Sequence, residues 1–172
     1  MKILMVLAHD RYRDEEYEEP RKVFEEEGVE VTVASSALGE AQGKLGGKAP
    51  VDILLDKVKA EDYEAVVFVG GPGSEEYFHN PQALSLVKET FAAGKVIAAI
   101  CIAPATLANA GILRGKRATA FPSVEKDLKA QGADYTGNPV ERDGSIITGN
   151  GPEAATEFGK MIVAALQDMK KV

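Results

Sequence analysis

The single cysteine of the chain, Cys101, ends an apolar run and directly precedes a helix-forming stretch, in the sequence VIAAICIAP at 96–104. Sites in open α/β sheets lie at the carboxyl ends of strands, so a side chain at a sharp strand-to-helix turn projects into the site crevice. The unpaired N–H groups that open the following helix favour an anion, and we expect them to lower the thiol pKa and hold an oxyanion. The turn resembles a nucleophile elbow without the Gly-x-Ser-x-Gly pattern. The alternative is an unreactive packed cysteine, because free cysteines are often buried.

A glycine-rich turn, VGGPGS at 69–74, ends the preceding apolar run. Gly70 and Gly71 allow the backbone to approach a ligand and to direct N–H groups into the same crevice. A simple turn is the alternative interpretation. The spacing differs from Gly-x-Gly-x-x-Gly, so it does not indicate a dinucleotide site.

Charged residues follow the first apolar run, in AHDRYRDEEYEEP at 8–20. In a doubly wound sheet this loop faces the same crevice. Most of these charges are typical of a solvated helix start. A carboxyl group directed at Cys101 would instead have a chemical role. In its neutral form it donates a hydrogen bond to a thiolate, and in its ionised form it accepts and returns protons. The candidates are His9, Arg11, Arg13, Asp14, Glu15 and Glu16.

The elements that must position these residues form a repeating strand and helix pattern. The strands are apolar at successive positions, as in a parallel sheet covered on both faces, and each of three helical stretches ends on glycine. This order predicts an α/β fold, a doubly wound, mostly parallel sheet sandwiched between helices. The predicted strands span 2–8, 29–35, 65–71 and 95–101, and the helices 15–28, 81–94 and 103–111.

The remaining sequence predicts shorter elements. Four glycines among polar residues at 37–50 indicate a hairpin or loop excursion. A short strand at 116–121 and a helix at 123–132 precede two strands around an Asp143-Gly144 turn within 139–148. Asn150 or Gly151 is expected to cap the last helix, with Pro152 at its first position.

Composition limits the classes of function. The 172 residues fit one domain spanning 1–172, with 45% hydrophobic and 27% charged residues. A net charge of −7 without a basic cluster argues against nucleic acid and acidic membranes as partners. No apolar run approaches the roughly 20 residues of a membrane helix, and the start reads as a strand rather than a signal peptide. A cytoplasmic location is the expectation, in agreement with the lack of a cysteine pair.

Four segments together resemble the ThiJ/PfpI family of the class I glutamine amidotransferase-like superfamily. They are AAICIAP, VGGPG, EYEEP with Glu16 four residues before Pro20, and the tail IITGNGPEAATEFG. The resemblance implies a flavodoxin-like sandwich that forms homodimers or larger homo-oligomers. It also implies Cys101 as nucleophile, Glu16 as its partner, and an oxyanion site at the N–H groups of Gly71 and Ile102, beside Gly70. No metal or cofactor is implied.

The sequence departs from the family pattern at two places. Family members described as proteases carry histidine directly after the cysteine, where this chain has Ile102. A further subgroup has histidine before a proline in the following strand segment, where this chain has Phe121. His9 and His79 are therefore the candidate catalytic imidazoles, the latter from its own or a neighbouring subunit.

Three functions use these residues. The first is a cysteine-dependent, cofactor-independent enzyme acting on a small aldehyde, like glyoxalase III or a deglycase, which converts methylglyoxal to lactate through a hemithioacetal. The second is an intracellular cysteine peptidase or amidase, which needs an imidazole. The third is a redox sensor or chaperone-like protein with an oxidisable Cys101. A phosphate-binding protein is disfavoured, because no Lys or Ser/Thr motif accompanies the glycine turn.

Overall fold

The computed structural model describes residues 1–171, in which helices and strands alternate along most of the chain. The helices are α1 (Asp14–Glu26), α2 (Pro81–Ala92), α3 (Pro104–Asn109), α4 (Glu125–Ala130) and α5 (Ala155–Lys170). The strands are β1 (Lys2–Val6), β2 (Asp10–Tyr12), β3 (Glu30–Ser35), β4 (Glu40–Gly43), β5 (Lys48–Pro50), β6 (Ile53–Leu54), β7 (Ala65–Phe68), β8 (Val96–Ile100), β9 (Arg117–Ala118), β10 (Asp134–Tyr135), β11 (Val140–Asp143) and β12 (Ile146–Gly149).

Seven strands form the central sheet in the order β11-β12-β8-β7-β1-β3-β6. All neighbours are parallel except β11, which pairs antiparallel with β12. The chain runs outward from β1 to β3 and β6, then returns to β7 and continues outward to β8 and β12. The order of winding therefore reverses between β1 and β7, and the predicted flavodoxin-like, doubly wound sheet is confirmed.

The sheet is covered on both faces, which explains the unbroken apolar runs of its strands. In β1, Ile3 and Met5 belong to the core beneath α1 and α5, whereas Leu4 and Val6 belong to the core beneath α2, α3 and α4. Phe158 of α5 is fully buried on the first face. Each face thus needs its own apolar partner layer, as the sequence predicted.

Glycine and proline set the ends of the helices. Gly28, Gly94 and Gly111 follow α1, α2 and α3 and take positive φ, as glycines after a helix C-terminus often do. At the last helix, Gly151 caps a 3₁₀ turn over Pro152–Ala154, with Pro152 at its first position, and α5 follows directly. The prediction that Asn150 or Gly151 caps the last helix is therefore wrong for α5 itself, whose N-cap position is Ala154, because the 3₁₀ turn comes between.

Two short elements differ from the sequence prediction. The strand predicted at 116–121 is only β9, which pairs with β10 outside the central sheet, because the N–H of Thr119 donates to the Thr148 hydroxyl (3.0 Å). The turn between β11 and β12 consists of Gly144 and Ser145, since Asp143 pairs with Ile146 across the ladder.

The excursion at 37–50 is a hairpin. Strands β4 and β5 pair antiparallel and, with β2 from the first loop, make a small second sheet. The hairpin therefore lies beside the loop that follows β1, at the carboxyl edge of the central sheet.

Helix α1 packs closely on α5 at a glycine. A Cβ added to Gly159 would lie 2.9 Å from the Cα of Pro20, so only glycine allows this approach. Within residues 1–171, no helix combines the length and apolarity needed to cross a membrane.

Candidate active site

Cys101 occupies a strained turn between β8 and α3. Its φ is +66°, in the left-handed region that non-glycine residues rarely adopt. The Cys101 N–H donates to the Gly149 carbonyl (2.9 Å), and its own carbonyl accepts from the Phe121 N–H (2.8 Å). These two hydrogen bonds hold the turn in place, and the predicted nucleophile elbow is confirmed as a backbone geometry.

Glu16 lies in the first turn of α1 and is fully buried. Neither of its carboxyl oxygens has a hydrogen-bond partner among residues 1–171, and the side chain of Cys101 lies beside it at Gly70. Burial raises the pKa of Glu16 to about 8, although the nearby Cys101 thiol and the charge of Arg13 act against this. The carboxyl therefore holds its proton in most molecules at neutral pH.

Gly70 leaves the space in which these two side chains meet. A Cβ at this position would lie 2.5 Å from both the Cys101 Cβ and the Glu16 Oε1. The Gly70 carbonyl also accepts from the Arg13 N–H (2.9 Å), which ties the first loop to the glycine turn. Gly70 thus leaves room for the Cys101 and Glu16 side chains and anchors the first loop. A role for its N–H in substrate binding stays a prediction.

The backbone N–H groups of Gly71 and Ile102 lie near the Cys101 sulfur and act to lower its pKa. Burial, followed by the charge of an ionised Glu16, outweighs them and raises the pKa of Cys101 to about 12. The expected net lowering of the thiol pKa is therefore wrong. The two acids titrate as a pair, in which an ionised Glu16 holds the remaining proton on sulfur.

A cavity of about 200 Å³ opens above this pair. One wall is apolar, from Ile102 and Phe121, the two positions at which the sequence departs from the pattern of the family that it resembles. The predicted departures therefore lie at the site itself. The lining residues are Arg13, Glu16, Lys44, Gly71, Pro72, Cys101, Ile102, Phe121 and Pro152.

Lys44 is a lining residue that the sequence did not indicate. It lies in the turn between β4 and β5, far from Cys101 along the chain, and a lysine among glycines gives no signal of a site. The other cation, Arg13, donates to Glu15 from Nε (2.6 Å) and pairs with it. The sequence likewise predicts Pro72 only as a turn residue and Pro152 only as a helix-start residue.

Neither candidate imidazole lines the cavity. The Nε2 of His9 is 3.2 Å from the Leu38 carbonyl oxygen, within hydrogen-bonding distance. His79 lies between a 3₁₀ turn at Pro72–Tyr77 and α2. Within this chain the structure therefore does not bring either imidazole to Cys101, and a contribution of His79 from a neighbouring subunit stays a prediction.

A resident metal has no obvious set of protein ligands. Across residues 1–171, no three or more His, Cys, Asp or Glu side chains cluster as ligands for a metal ion.

Comparison with known proteins finds relatives along nearly the whole chain. An uncharacterized protein of Methanocaldococcus jannaschii is 44% identical over 169 residues, which cover 96% of this chain and 82% of the relative. A deglycase of Pyrococcus horikoshii is 35% identical over 152 residues, which cover 88% of this chain and 91% of the relative. The crystal structure of a ThiJ/PfpI domain protein from Brachyspira murdochii superposes with a TM-score of 0.95 at 34% identity, covering 97% and 96%. Because the model of the DJ-1/PfpI family also matches residues 1–165, this chain belongs to the DJ-1/PfpI family.

Proposed function

We propose that this protein is a cysteine-dependent enzyme that converts small reactive carbonyl compounds, such as methylglyoxal, to hydroxy acids. The observation that carries the proposal is the buried Glu16 carboxyl, whose polar neighbour is the Cys101 thiol. A relative from Pyrococcus horikoshii is named a deglycase, which agrees with carbonyl chemistry. The cavity above the pair, of about 200 Å³, has room for a two- or three-carbon substrate.

The first step is addition of sulfur to the aldehyde carbon of methylglyoxal. An ionised Glu16 accepts the thiol proton as the S–C bond forms, and the N–H groups of Gly71 and Ile102 hydrogen-bond the developing oxyanion. The proton then passes from Glu16 to that oxygen, which gives a neutral hemithioacetal. The same carboxylate is thereby regenerated for the next step.

The second step moves a proton between two carbons of the bound substrate. Glu16 removes the proton from the former aldehyde carbon, and the C–H electron pair forms a C=C bond as the neighbouring carbonyl oxygen takes the negative charge of an enediolate. Return of that proton from Glu16 to the second carbon, with transfer of the hydroxyl proton from the first oxygen to the second, gives a thioester of lactic acid. Water then cleaves the S–C bond, releases lactate and restores the thiol, so the conversion is an internal redox reaction without a cofactor.

The alternative functions have less support from the site. Peptide hydrolysis needs an acid for the leaving amine, and the described cavity is lined by Ile102 and Phe121 without an imidazole. A redox sensor would use the same Cys101 and Glu16. An experiment separates the redox sensor from the carbonyl enzyme, because selective oxidation of Cys101 without turnover of a carbonyl compound favours the sensor.

The test is lactate formation from methylglyoxal by the purified protein in an amine-free buffer. Cys101→Ser and Glu16→Gln should each reduce turnover by about 100-fold or more, because nucleophile and proton carrier are both needed. Glu26→Gln, an exposed change at the far end of α1, is the matched control and should retain full activity. Absence of lactate with the wild type, or unchanged turnover in Cys101→Ser, would reject the proposed function.

A further inference from the structure

The cavity above Cys101 has an unbalanced positive charge. Of its three ionisable lining side chains other than the thiol, Arg13 is paired with Glu15, and Glu16 is mostly protonated at neutral pH. Lys44 forms no ion pair with any carboxylate of residues 1–171. Of the two cationic residues that line the cavity, the exposed Lys44 is therefore the one that no carboxylate of residues 1–171 pairs.

The backbone that carries Lys44 is held firmly against the first loop. The buried carboxylate of Asp14 accepts the N–H groups of Leu45 (2.8 Å) and Gly47 (2.7 Å), and the Lys44 N–H donates to the Tyr12 carbonyl (2.8 Å). A Cβ on Gly47 would lie 2.5 Å from the Asp14 carboxyl, so the turn fits closely around this side chain. Lys44 thus extends from a fixed point toward the same cavity as Cys101.

The carboxylates nearest Lys44, those of Asp14 and Glu18, lie against its turn at Gly47 but do not line the cavity. Glu153 lines the adjacent groove beyond Phe121 and Pro152, rather than the cavity itself. The chain as a whole carries a net charge of −7, so a positive cavity contrasts with the average surface. Such a local field attracts anionic ligands selectively.

We propose that Lys44 is a specificity-determining residue, which selects small carbonyl compounds that carry a carboxylate. The assignment as substrate selectivity rests on the proposed function, with the aldehyde carbon at the Cys101 sulfur and the carboxylate directed toward the Lys44 ammonium group. A neutral compound such as methylglyoxal would react without using this contact. The preferred substrate is then an oxoaldehyde with an anionic end.

Two thiol reagents of similar size test the charge preference without requiring turnover. Iodoacetate is an anion and iodoacetamide is neutral. Both alkylate sulfur by the same displacement, in which the S–C bond forms, iodide leaves with the C–I electron pair, and the thiol proton passes to Glu16 or water. Cys101 is the only thiol of the chain, so total alkylation reports on this site alone.

The quantity to measure is the ratio of the two alkylation rates, iodoacetate over iodoacetamide, at pH 8 and low salt. Changes in the thiol pKa affect both rates equally and cancel in the ratio. Lys44→Met should lower the ratio about five-fold, the effect of one partly solvated charge near the reacting sulfur. Lys44→Arg should keep the wild-type ratio, and Lys48→Met, which removes an exposed lysine of the same hairpin outside the cavity, should leave it unchanged.

Equal ratios in wild type and Lys44→Met would overturn the proposal, as would the same decrease in Lys48→Met. The decrease should also shrink at high salt, because exposed charges are screened. This result is independent of the proposed function. If the wild type makes no lactate but its alkylation ratio depends on Lys44, the proposed reaction is rejected and the anion preference is retained. If the wild type makes lactate but its alkylation ratio does not depend on Lys44, only the anion preference is rejected.

Discussion

At the scale of single residues, the site rests on a carboxyl group placed where its charged form is disfavoured. Glu16 is fully buried without a nitrogen or oxygen partner within residues 1–171, and Gly70 leaves room for it beside Cys101. Such an arrangement lowers the stability of the fold, because a buried ionised group lacks the solvation of water. It gives the pair a carboxyl that can both hold and release a proton near neutral pH.

The pH dependence of stability should reveal this disfavoured charge. The pKa of Glu16 is about 8 in the folded protein, against an ordinary value of 4.5. Between these values the folded state keeps a proton that the unfolded state has lost, so the free energy of unfolding falls as pH rises and levels off above about 8. At pH 7 the Glu16→Gln variant should be more stable than wild type by up to roughly 3 kcal/mol.

Urea unfolding at several pH values between 4 and 9 measures this difference. The advantage of Glu16→Gln over wild type should be near zero at pH 4 and should grow up to about pH 8. Glu26→Gln serves as the control, since its exposed carboxyl needs no desolvation. A constant difference between Glu16→Gln and wild type across this range would contradict a raised pKa of Glu16.

The sequence predicts that Cys101 and Glu16 meet, and the structure places them side by side, but their protonation could not be predicted. The place of Cys101 at the end of an apolar run indicates it, and the resemblance to the ThiJ/PfpI family indicates Glu16. The direction of the thiol pKa was wrong, because the prediction considered only the N–H groups next to Cys101 in the chain. Burial and the charge of Glu16 depend on which segments meet in space, and these decide the result.

At the scale of elements, the position of Glu16 depends on how α1 rests on α5. The Cα of Pro20, one turn after Glu16, lies against Gly159. Pro20 has no N–H to donate to the Glu16 carbonyl, so this part of α1 lacks one helical hydrogen bond and relies more on packing. The contact between Pro20 and Gly159 thus helps to fix the position of α1, and with it that of Glu16.

Gly159→Ala should therefore affect both stability and turnover. The added methyl group must displace backbone atoms of Pro20, and overpacking of this kind costs about 1–3 kcal/mol, partly offset by the better helix propensity of alanine. We expect a lower urea midpoint and a several-fold lower rate of lactate formation, because α1 carries Glu16. Lys160→Ala, an exposed neighbour on α5, should change neither; equal behaviour of the two variants would contradict the role of this contact.

Long apolar elements were easier to predict than short paired ones. The strands β1, β3, β7 and β8 each bury residues on both faces, so local composition identifies them. Short strands such as β9 are defined by hydrogen bonds to distant partners, which local composition does not encode. The hairpin of β4 and β5 was expected only as an excursion, and its return to the cavity through Asp14 depends on a long-range contact.

At the scale of the whole molecule, one carbonyl joins the segments on either side of the switch point. The Leu7 carbonyl, after β1, accepts from the hydroxyl of Ser35 at the end of β3 (2.8 Å) and from that of Tyr77 after β7 (2.6 Å). All of these groups are buried. The segments that follow β1, β3 and β7 are therefore joined by hydrogen bonds at the carboxyl edge of the central sheet.

Removing these two hydroxyls should show more than additive effects. Tyr77→Phe or Ser35→Ala alone leaves the Leu7 carbonyl with one partner, and each should cost about 1 kcal/mol. The double variant leaves a buried carbonyl unpaired, so its loss should exceed the sum of the single losses by about 1 kcal/mol. Urea unfolding of the four proteins completes the cycle, and strict additivity would show that the two bonds act independently.

The topology of the whole molecule followed from the order of its elements, since a parallel sheet with right-handed crossovers allows few arrangements. The order of the elements did not predict that three segments meet at the site: the first loop, the β4–β5 hairpin and the glycine turn. These three segments are distant in the chain and meet through single contacts, such as the Arg13 N–H on the Gly70 carbonyl. Such contacts leave no local pattern in composition or spacing.

The left-handed backbone at Cys101 has a consequence for how this residue can be lost. Glycine is the residue that such a φ favours, so the backbone alone would prefer glycine at position 101 to any side chain. A mutation of the cysteine to glycine relieves strain as it removes the thiol, and selection for folding would not oppose it. The backbone conformation at this turn therefore gives no reason for a thiol at position 101.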